Sequence, residues 1–131
     1  MDALDDRFVT ASATAAYIAS IAEPTRLRIV NCVAAAPLFV SDLVTILEVP
    51  QPTVSRHLRV LRNAGVLIDL PIPPYAIYSL VPQAPARQRV LRAVLDAALT
   101  EPAFRTERDA AVARTRESVR ARVARVGADA G

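Results

Sequence analysis

Lysine and tryptophan are absent from this 131-residue chain, and cysteine and histidine occur once each. A single cysteine, Cys32, excludes an internal disulfide and any multi-cysteine metal cluster built within one chain. Glycine is scarce at three residues against ten prolines, so flexible turns are few and hard stops are many. That balance favours short helices meeting at sharp joints. No run approaches the roughly 18 uninterrupted apolar residues of a membrane span. The first residues are acidic and lack an apolar core run, so no secretory signal is expected and the cytoplasm is the expected compartment. No Gly-rich phosphate loop and no pair of convergent carboxylates stands out, which speaks against an enzyme.

What is present is apolar and basic. The apolar fraction is 53%, enough for a real core, and much of it is alanine, which suits closely packed helices. All 16 basic residues are arginine; against 13 acidic residues they give a net charge of +3. The distribution matters more than the sum. Residues 51–63 carry Arg56, His57, Arg59 and Arg62 without one acidic residue, whereas the first six residues hold Asp2, Asp5 and Asp6 and no base. A positive stretch of this kind suits a polyanion.

Punctuation and period divide the chain into elements. Residues 8–22 place Phe8, Ala13, Ala16, Tyr17 and Ile21 near helical spacing. Pro24 then opens a second helix with Leu27, Val30, Val33 and Ala34 as its inner stripe. Ser41 is the expected N-cap of a third helix through Glu48, with Asp42 in its first turn. A fourth runs from about Pro52 to Asn63, with Val54, Leu58 and Leu61 inward and Asn63-Ala64-Gly65 as its stop. The period then turns extended: VLIDLPI and YAIYSLV form an expected hairpin across Pro73-Pro74. Residues 86–99 return to helical spacing, and residues 103–126 form a final helix rich in Arg and Ala. The expected fold is mainly α with a small β-hairpin. Residues 1–100 are the expected main domain, and residues 101–131 a solvated helical extension.

The third and fourth helices, joined by a short turn, have the layout of a helix-turn-helix, the minimal unit that places a helix in the DNA major groove. The second helix then needs a packing face and a reading face. Val54, Leu58 and Leu61 supply the first; Ser55, Arg56, Arg59 and Arg62 supply the second, with Gln51 and Thr53 at the entering end. Gln can bond adenine through two atoms, Arg can fork onto guanine, and Ser or Thr can bond bases or phosphates. Ser41 joins this candidate DNA-binding set.

EPTRLRIVNCV, then VSDLVTILEVPQPTVSRHLRVLRNAGVL, then YAIYSL resemble the ArsR/SmtB family of winged helix-turn-helix regulators over roughly residues 13–82. The resemblance implies a winged helix-turn-helix of about five to six helices plus a two-stranded wing. It further implies a homodimer that binds an inverted-repeat operator in double-stranded DNA and releases it on binding an effector. By the match, Gln51, Thr53, Ser55, Arg56 and His57 lie where that family's recognition helix meets DNA. His57 alternatively serves as a structural residue bonded to the backbone of a neighbouring helix, and Arg26 and Arg28 are expected as ion-pair partners. The implied dimer interface uses the first helix and the one after the wing, hence Phe8, Tyr17, Leu91, Val94, Leu95 and Ala98; the stripe on the later helix reads equally as core within one chain.

The chain departs from that family at its sensing positions. Where arsenic and cadmium sensors carry a CVCDL-type motif, this sequence reads Phe39-Val40-Ser41-Asp42-Leu43. Residues 83–100 contain Asp96 but no His. No conventional metal site and no cofactor is therefore expected, and a small-molecule effector is the class that remains. The hairpin tip, Asp69-Leu70-Pro71-Ile72-Pro73-Pro74, is apolar and slightly acidic, so it should add little phosphate affinity. It could instead pack on the last helix or on an apolar ligand. Two alternatives stay open: an Arg-rich helical protein-interaction module, and a thiol or metal sensor using Cys32 in a non-standard way. A small buried apolar role for Cys32 outweighs the latter.

Overall fold

The computed structural model describes residues 12–130. Helix α1 (Ala13–Ala22) starts where the Ser12 side chain accepts a hydrogen bond from the Ala15 N–H at 3.1 Å. Phe8 lies outside the described residues. Helix α2 (Pro24–Ala35) follows at once: Pro24 needs no donor partner in the first turn, and the Glu23 carboxylate accepts from the Arg26 N–H at 2.9 Å. Its stripe is wider than the spacing predicts. Ile29 and Cys32 are buried along with Val30 and Val33, because a second layer covers this helix from the far side.

A two-residue strand, β1 (Leu38–Phe39), precedes α3 (Val40–Leu47). Ser41 is therefore not the N-cap. Phe39 is held extended by pairing, the helix begins at the next residue, and Ser41 falls in its first turn, exposed. The cap is made by Asp42, whose carboxylate accepts from the Phe39 N–H at 3.0 Å. Helix α3 ends at Glu48 in the left-handed conformation, and α4 (Gln51–Asn63) begins after Pro50. As the spacing predicts, Val54, Leu58 and Leu61 are buried. Gly65 takes a φ of 75°, open to glycine at low cost, while the Val66 N–H closes onto the Leu61 carbonyl at 3.0 Å.

The hairpin forms as expected, from β2 (Leu67–Ile72) and β3 (Tyr75–Leu80). Its register pairs Leu67 with Leu80, Leu70 with Ile77 and Ile72 with Tyr75. Strand β1 joins the other edge of β3, with Leu38 opposite Tyr78, so the antiparallel sheet has the order β1-β3-β2. Helix α5 (Pro85–Ala98) buries Leu91, Leu95 and Ala98. Among the described residues no helix is long and apolar enough to cross a membrane.

The largest departure is α6 (Pro102–Ala130). The sequence predicts a solvated extension; the structure docks the helix across α2, α3 and β1. Arg28 forks onto Glu107, with Nη2 2.6 Å and Nε 3.1 Å from the carboxylate oxygens. Asn31 donates to the Phe104 carbonyl at 2.9 Å, and Ala111 is fully buried. Further along, Ser118 donates to Asp42, and Arg114 Nη2 lies 3.4 Å from the same carboxylate. The inner stripe of this helix is Ala111, Arg114, Ser118 and Arg122, small and polar rather than apolar, so it bonds to its neighbours instead of merely covering them.

Asp42 is 0% exposed, so removing its carboxylate strands the Phe39 N–H on β1 and the Ser118 hydroxyl on α6. Asp42→Ala is expected to lower unfolding free energy by about 3 kcal/mol, the range for breaking a buried pair. Ser118→Ala should cost only about 1 kcal/mol. Urea titration checks both; an Asp42→Ala loss below about 0.5 kcal/mol, the level of a neutral surface change, would refute the role given to this carboxylate.

Candidate nucleic-acid interface

Helix α4 presents the polar side that its sequence implies. Gln51, Arg56 and Arg59 are exposed, and Thr53 and Ser55 are half-buried at the flanks. Neither Arg56 nor Arg59 has a carboxylate partner among the described residues. Arg62 differs: its guanidinium lies 3.5 Å from Asp69 on β2, an exposed pair that orients the last turn of α4 toward the hairpin. The free charge of α4 is thus concentrated in its middle turn, outward from the buried Val54, Leu58 and Leu61.

Ser41 and Gln51 come together although ten positions separate them. Both line a hollow of about 310 Å³ at the N-terminal end of α4, along with Phe39, Tyr75 and Arg122. The Ser41 hydroxyl accepts from Arg122 Nη2 at 3.3 Å. A cationic side chain of α6 therefore stands beside the entering end of α4. No apolar repeat in the sequence marks Arg122; only its spacing from Ala111 and Ser118, eleven and four residues, places it on the docked side.

His57 is the member of the candidate set that faces inward. Its side chain is 12% exposed, with Nδ1 3.8 Å from Glu23 and 3.4 Å from Arg26 Nη1. The side is the inward one that the structural alternative implies, but the partners are side chains rather than the backbone of a neighbouring helix. Burial lowers the imidazole pKa below its ordinary 6.5, and the neighbouring charges of Arg26 and Arg56 push the same way against the pull of Glu23. Arg26 itself holds the end of α1, with Nε donating to the Ser20 carbonyl at 2.6 Å.

The residues expected at a dimer interface are mostly covered within one chain. Tyr17 is 2% exposed, Leu91 1%, Ala98 3% and Leu95 8%, while Val94 is half-buried. Tyr17 is capped by the Arg87 guanidinium, 4.8 Å from its ring centroid. These side chains seal α5 onto the body of the same chain, so a partner would meet their exposed neighbours instead, such as Ile18 on α1.

Cys32 is fully buried under α6, its thiol directed at the Glu107 carbonyl 3.8 Å away. Burial is the main cause that pushes its pKa up to about 12, with the Glu107 charge adding to the effect. Among the described residues no group of three His, Cys, Asp or Glu side chains could hold a metal ion.

Two outcomes are expected from these environments. Cys32 should stay unreactive toward an aromatic disulfide reagent in the native chain and react only when urea unfolds it; native reaction as fast as a free thiol would contradict its burial. For His57 the native pKa lies below the unfolded value of 6.5. The native chain then binds fewer protons, so this contribution is complete above that pH and lost as pH falls through the native value. The thermal midpoint should drop between about pH 7.5 and 5.5, and His57→Gln should flatten that part of the profile. An unchanged slope in the variant would assign the drop to other groups.

Residues 23–69 match the family model described as the bacterial regulatory protein, arsR family. An HTH-type transcriptional regulator of Mycobacterium tuberculosis is 39% identical over 70 residues, 53% of this chain and 65% of that protein. The arsenical resistance operon repressor of Escherichia coli is 42% identical over 67 residues, 50% of this chain and 57% of that one. The matched stretch thus spans less than two thirds of either relative. Among solved structures, the transcriptional repressor BigR from Xylella fastidiosa is similar with a TM-score of 0.60 at 24% identity, covering 76% of this chain and 96% of that one. At that identity the likeness is one of fold. The two-helix unit, the hairpin that follows it and these matches agree: the chain is built as a winged helix-turn-helix, and its residues 23–69 match the arsR-family model.

Proposed function

We propose that the chain is a sequence-specific regulator of transcription that binds double-stranded DNA through α4. The observation that carries this is the pair Arg56 and Arg59, exposed and without a carboxylate partner among the described residues, on a helix whose N-terminal end stands open beside Gln51. Uncompensated guanidinium groups on the outer face of a braced helix fit guanine edges and backbone phosphates. Gln51, Thr53, Ser55, Arg56 and Arg59 form the reading set, Ser41 flanks it, and His57 positions α4 against α2.

A single unit of this kind buries little surface on DNA, so a homodimer on an inverted repeat is proposed, with half-sites about one helical turn, roughly 34 Å, apart. The cytoplasm is the proposed compartment and repression the proposed sign, released by an effector other than a conventional metal. Phe39 and Ser41 stand where the resemblance implies thiolate ligands. A side chain of phenyl or hydroxyl type is a poor ligand for the soft ions those thiolates hold. The hairpin tip brings no base of its own, which leaves α4 as the main source of operator affinity.

Selection from a random DNA pool should return a palindrome. On it, Arg56→Ala and Gln51→Ala should each lose about 1–3 kcal/mol of specific binding, whereas replacing residues 69–75 by alanine should leave most of it. A protein-interaction module with Arg-rich faces would show no sequence preference, and wild-type affinity in Arg56→Ala would refute α4 as the reading element.

A further inference from the structure

Arg122 sits in surroundings that neither the fold nor the proposed DNA face accounts for. Its guanidinium is 3.8 Å from the Phe39 ring centroid and 4.4 Å from that of Tyr75. Those rings meet edge to face, with centroids 6.0 Å apart. Its two hydrogen bonds, to the Ser118 carbonyl and the Ser41 hydroxyl, are long at 3.4 and 3.3 Å. Its Nε is buried without a partner, and no carboxylate pairs with it among the described residues. A half-buried cation lacking a counter-ion attracts an anion more strongly than one in open water, because the low-dielectric rings beside it weaken screening.

The space around it is apolar. A cleft of about 200 Å³ is walled by Phe39, Ile72, Val119, Val123 and Val126, with Arg122 among them. An adjoining hollow of about 180 Å³ adds the prolines of the hairpin tip, Tyr75 and Arg125. Arg125 Nη1 donates to the Tyr75 hydroxyl at 3.2 Å, so a second cation lies at the rim. Val123 and Val126 are 65% and 66% exposed, unusually high for side chains lining an apolar wall. A DNA phosphate would satisfy the arginines but gain nothing from the valines. A second copy of α6 would bring the valines but would face Arg116, Arg120 and Arg125 with its own like charges.

We propose that this cleft, between the hairpin and α6, binds a small amphipathic organic anion. Its carboxylate lies on Arg122 and Arg125, and its apolar body lies on Ile72, Val119, Val123 and Val126. The cleft meets the hollow that Ser41 and Gln51 line, at the entering end of α4. Its occupant is therefore placed to act as the effector, a role that rests on the DNA-binding reading above; the binding itself does not.

2-Naphthoate and 2-naphthalenemethanol share a ring system and differ in charge. Calorimetry on the full chain without DNA should show 2-naphthoate binding about tenfold more tightly than the alcohol, the preference a charge-assisted hydrogen bond provides. Arg122→Gln should lose most of that preference, Arg125 alone remaining at the rim. Val123→Glu, an exposed substitution outside the core, should weaken 2-naphthoate by about tenfold or more while keeping the wild-type thermal midpoint. No binding, equal affinity for the two probes, or wild-type naphthoate affinity in Arg122→Gln overturns the proposal. So does a Val123→Glu variant that sediments as a smaller species with its naphthoate affinity intact, which would give the cleft to a second copy. Because no DNA is present, these outcomes are independent of whether operator binding itself succeeds.

Discussion

The carboxylate of Asp42 is fully buried, and donors from two distant parts of the chain converge on it. It accepts the Phe39 N–H at the entry to α3, the Ser118 hydroxyl from α6, and the near approach of the Arg114 guanidinium. Removing a carboxylate from water is unfavourable by several kcal/mol unless donors replace the lost hydration. Here they do, and they come from segments more than seventy residues apart. Forming the first turn of α3 and docking α6 are thus parts of one event. The short β1 strand belongs to it as well, since Phe39 must be extended to present its N–H to Asp42 and to pair with Ile77.

Docking of α6 reshapes everything near the helix-turn-helix. It buries both sides of α2, which is why Ile29 and Cys32 are as inaccessible as Val30 and Val33. It sequesters the only thiol, and with it the one cysteine on which an oxidant could act. It also carries Arg122 to the aromatic pair of Phe39 and Tyr75, beside the tip of the hairpin. One helix therefore touches the brace of the recognition helix through Asp42 and the hairpin through Tyr75. The two elements that a winged helix-turn-helix sets against DNA share a single support.

The chain wrote some of this plainly and some of it hardly at all. Helix α4 was legible because Val54, Leu58 and Leu61 repeat at three and four residues and the arginines fall between them. The hairpin was legible from its change of period. Strand β1 was not, since two residues carry no pattern and only pairing with β3 makes them a strand. The Ser41 cap failed because Phe39, held extended by pairing with β3, is itself the residue before the helix, which leaves Ser41 inside the first turn. Docking of α6 was hidden for a physical reason: hydrogen bonds and ion pairs hold that helix, so its inner stripe looks like the outer face of a solvated one. The interface residues on α5 illustrate the converse. An apolar stripe shows that something covers it, and Leu91, Leu95 and Ala98 are already covered within one chain, the core role that the stripe also allowed.

Whether such a support can act as a switch is a matter of magnitudes. Moving a two-state equilibrium from one part in a hundred to ninety-nine requires a ligand to prefer one state by about 5.5 kcal/mol. A ligand of micromolar affinity releases about 8 kcal/mol in all, so most of that energy would have to distinguish the two states. A cavity walled by one rigid element cannot do this, because its shape survives the motion. The cleft beside Arg122 has Phe39 from the sheet, Ile72 from the hairpin and three valines from α6. Any displacement of α6 relative to the hairpin separates those walls and parts Arg122 from its rings. An occupant that needs both walls loses most of its contacts in that displacement, which is how differential affinity of the required size arises without a metal or a thiol.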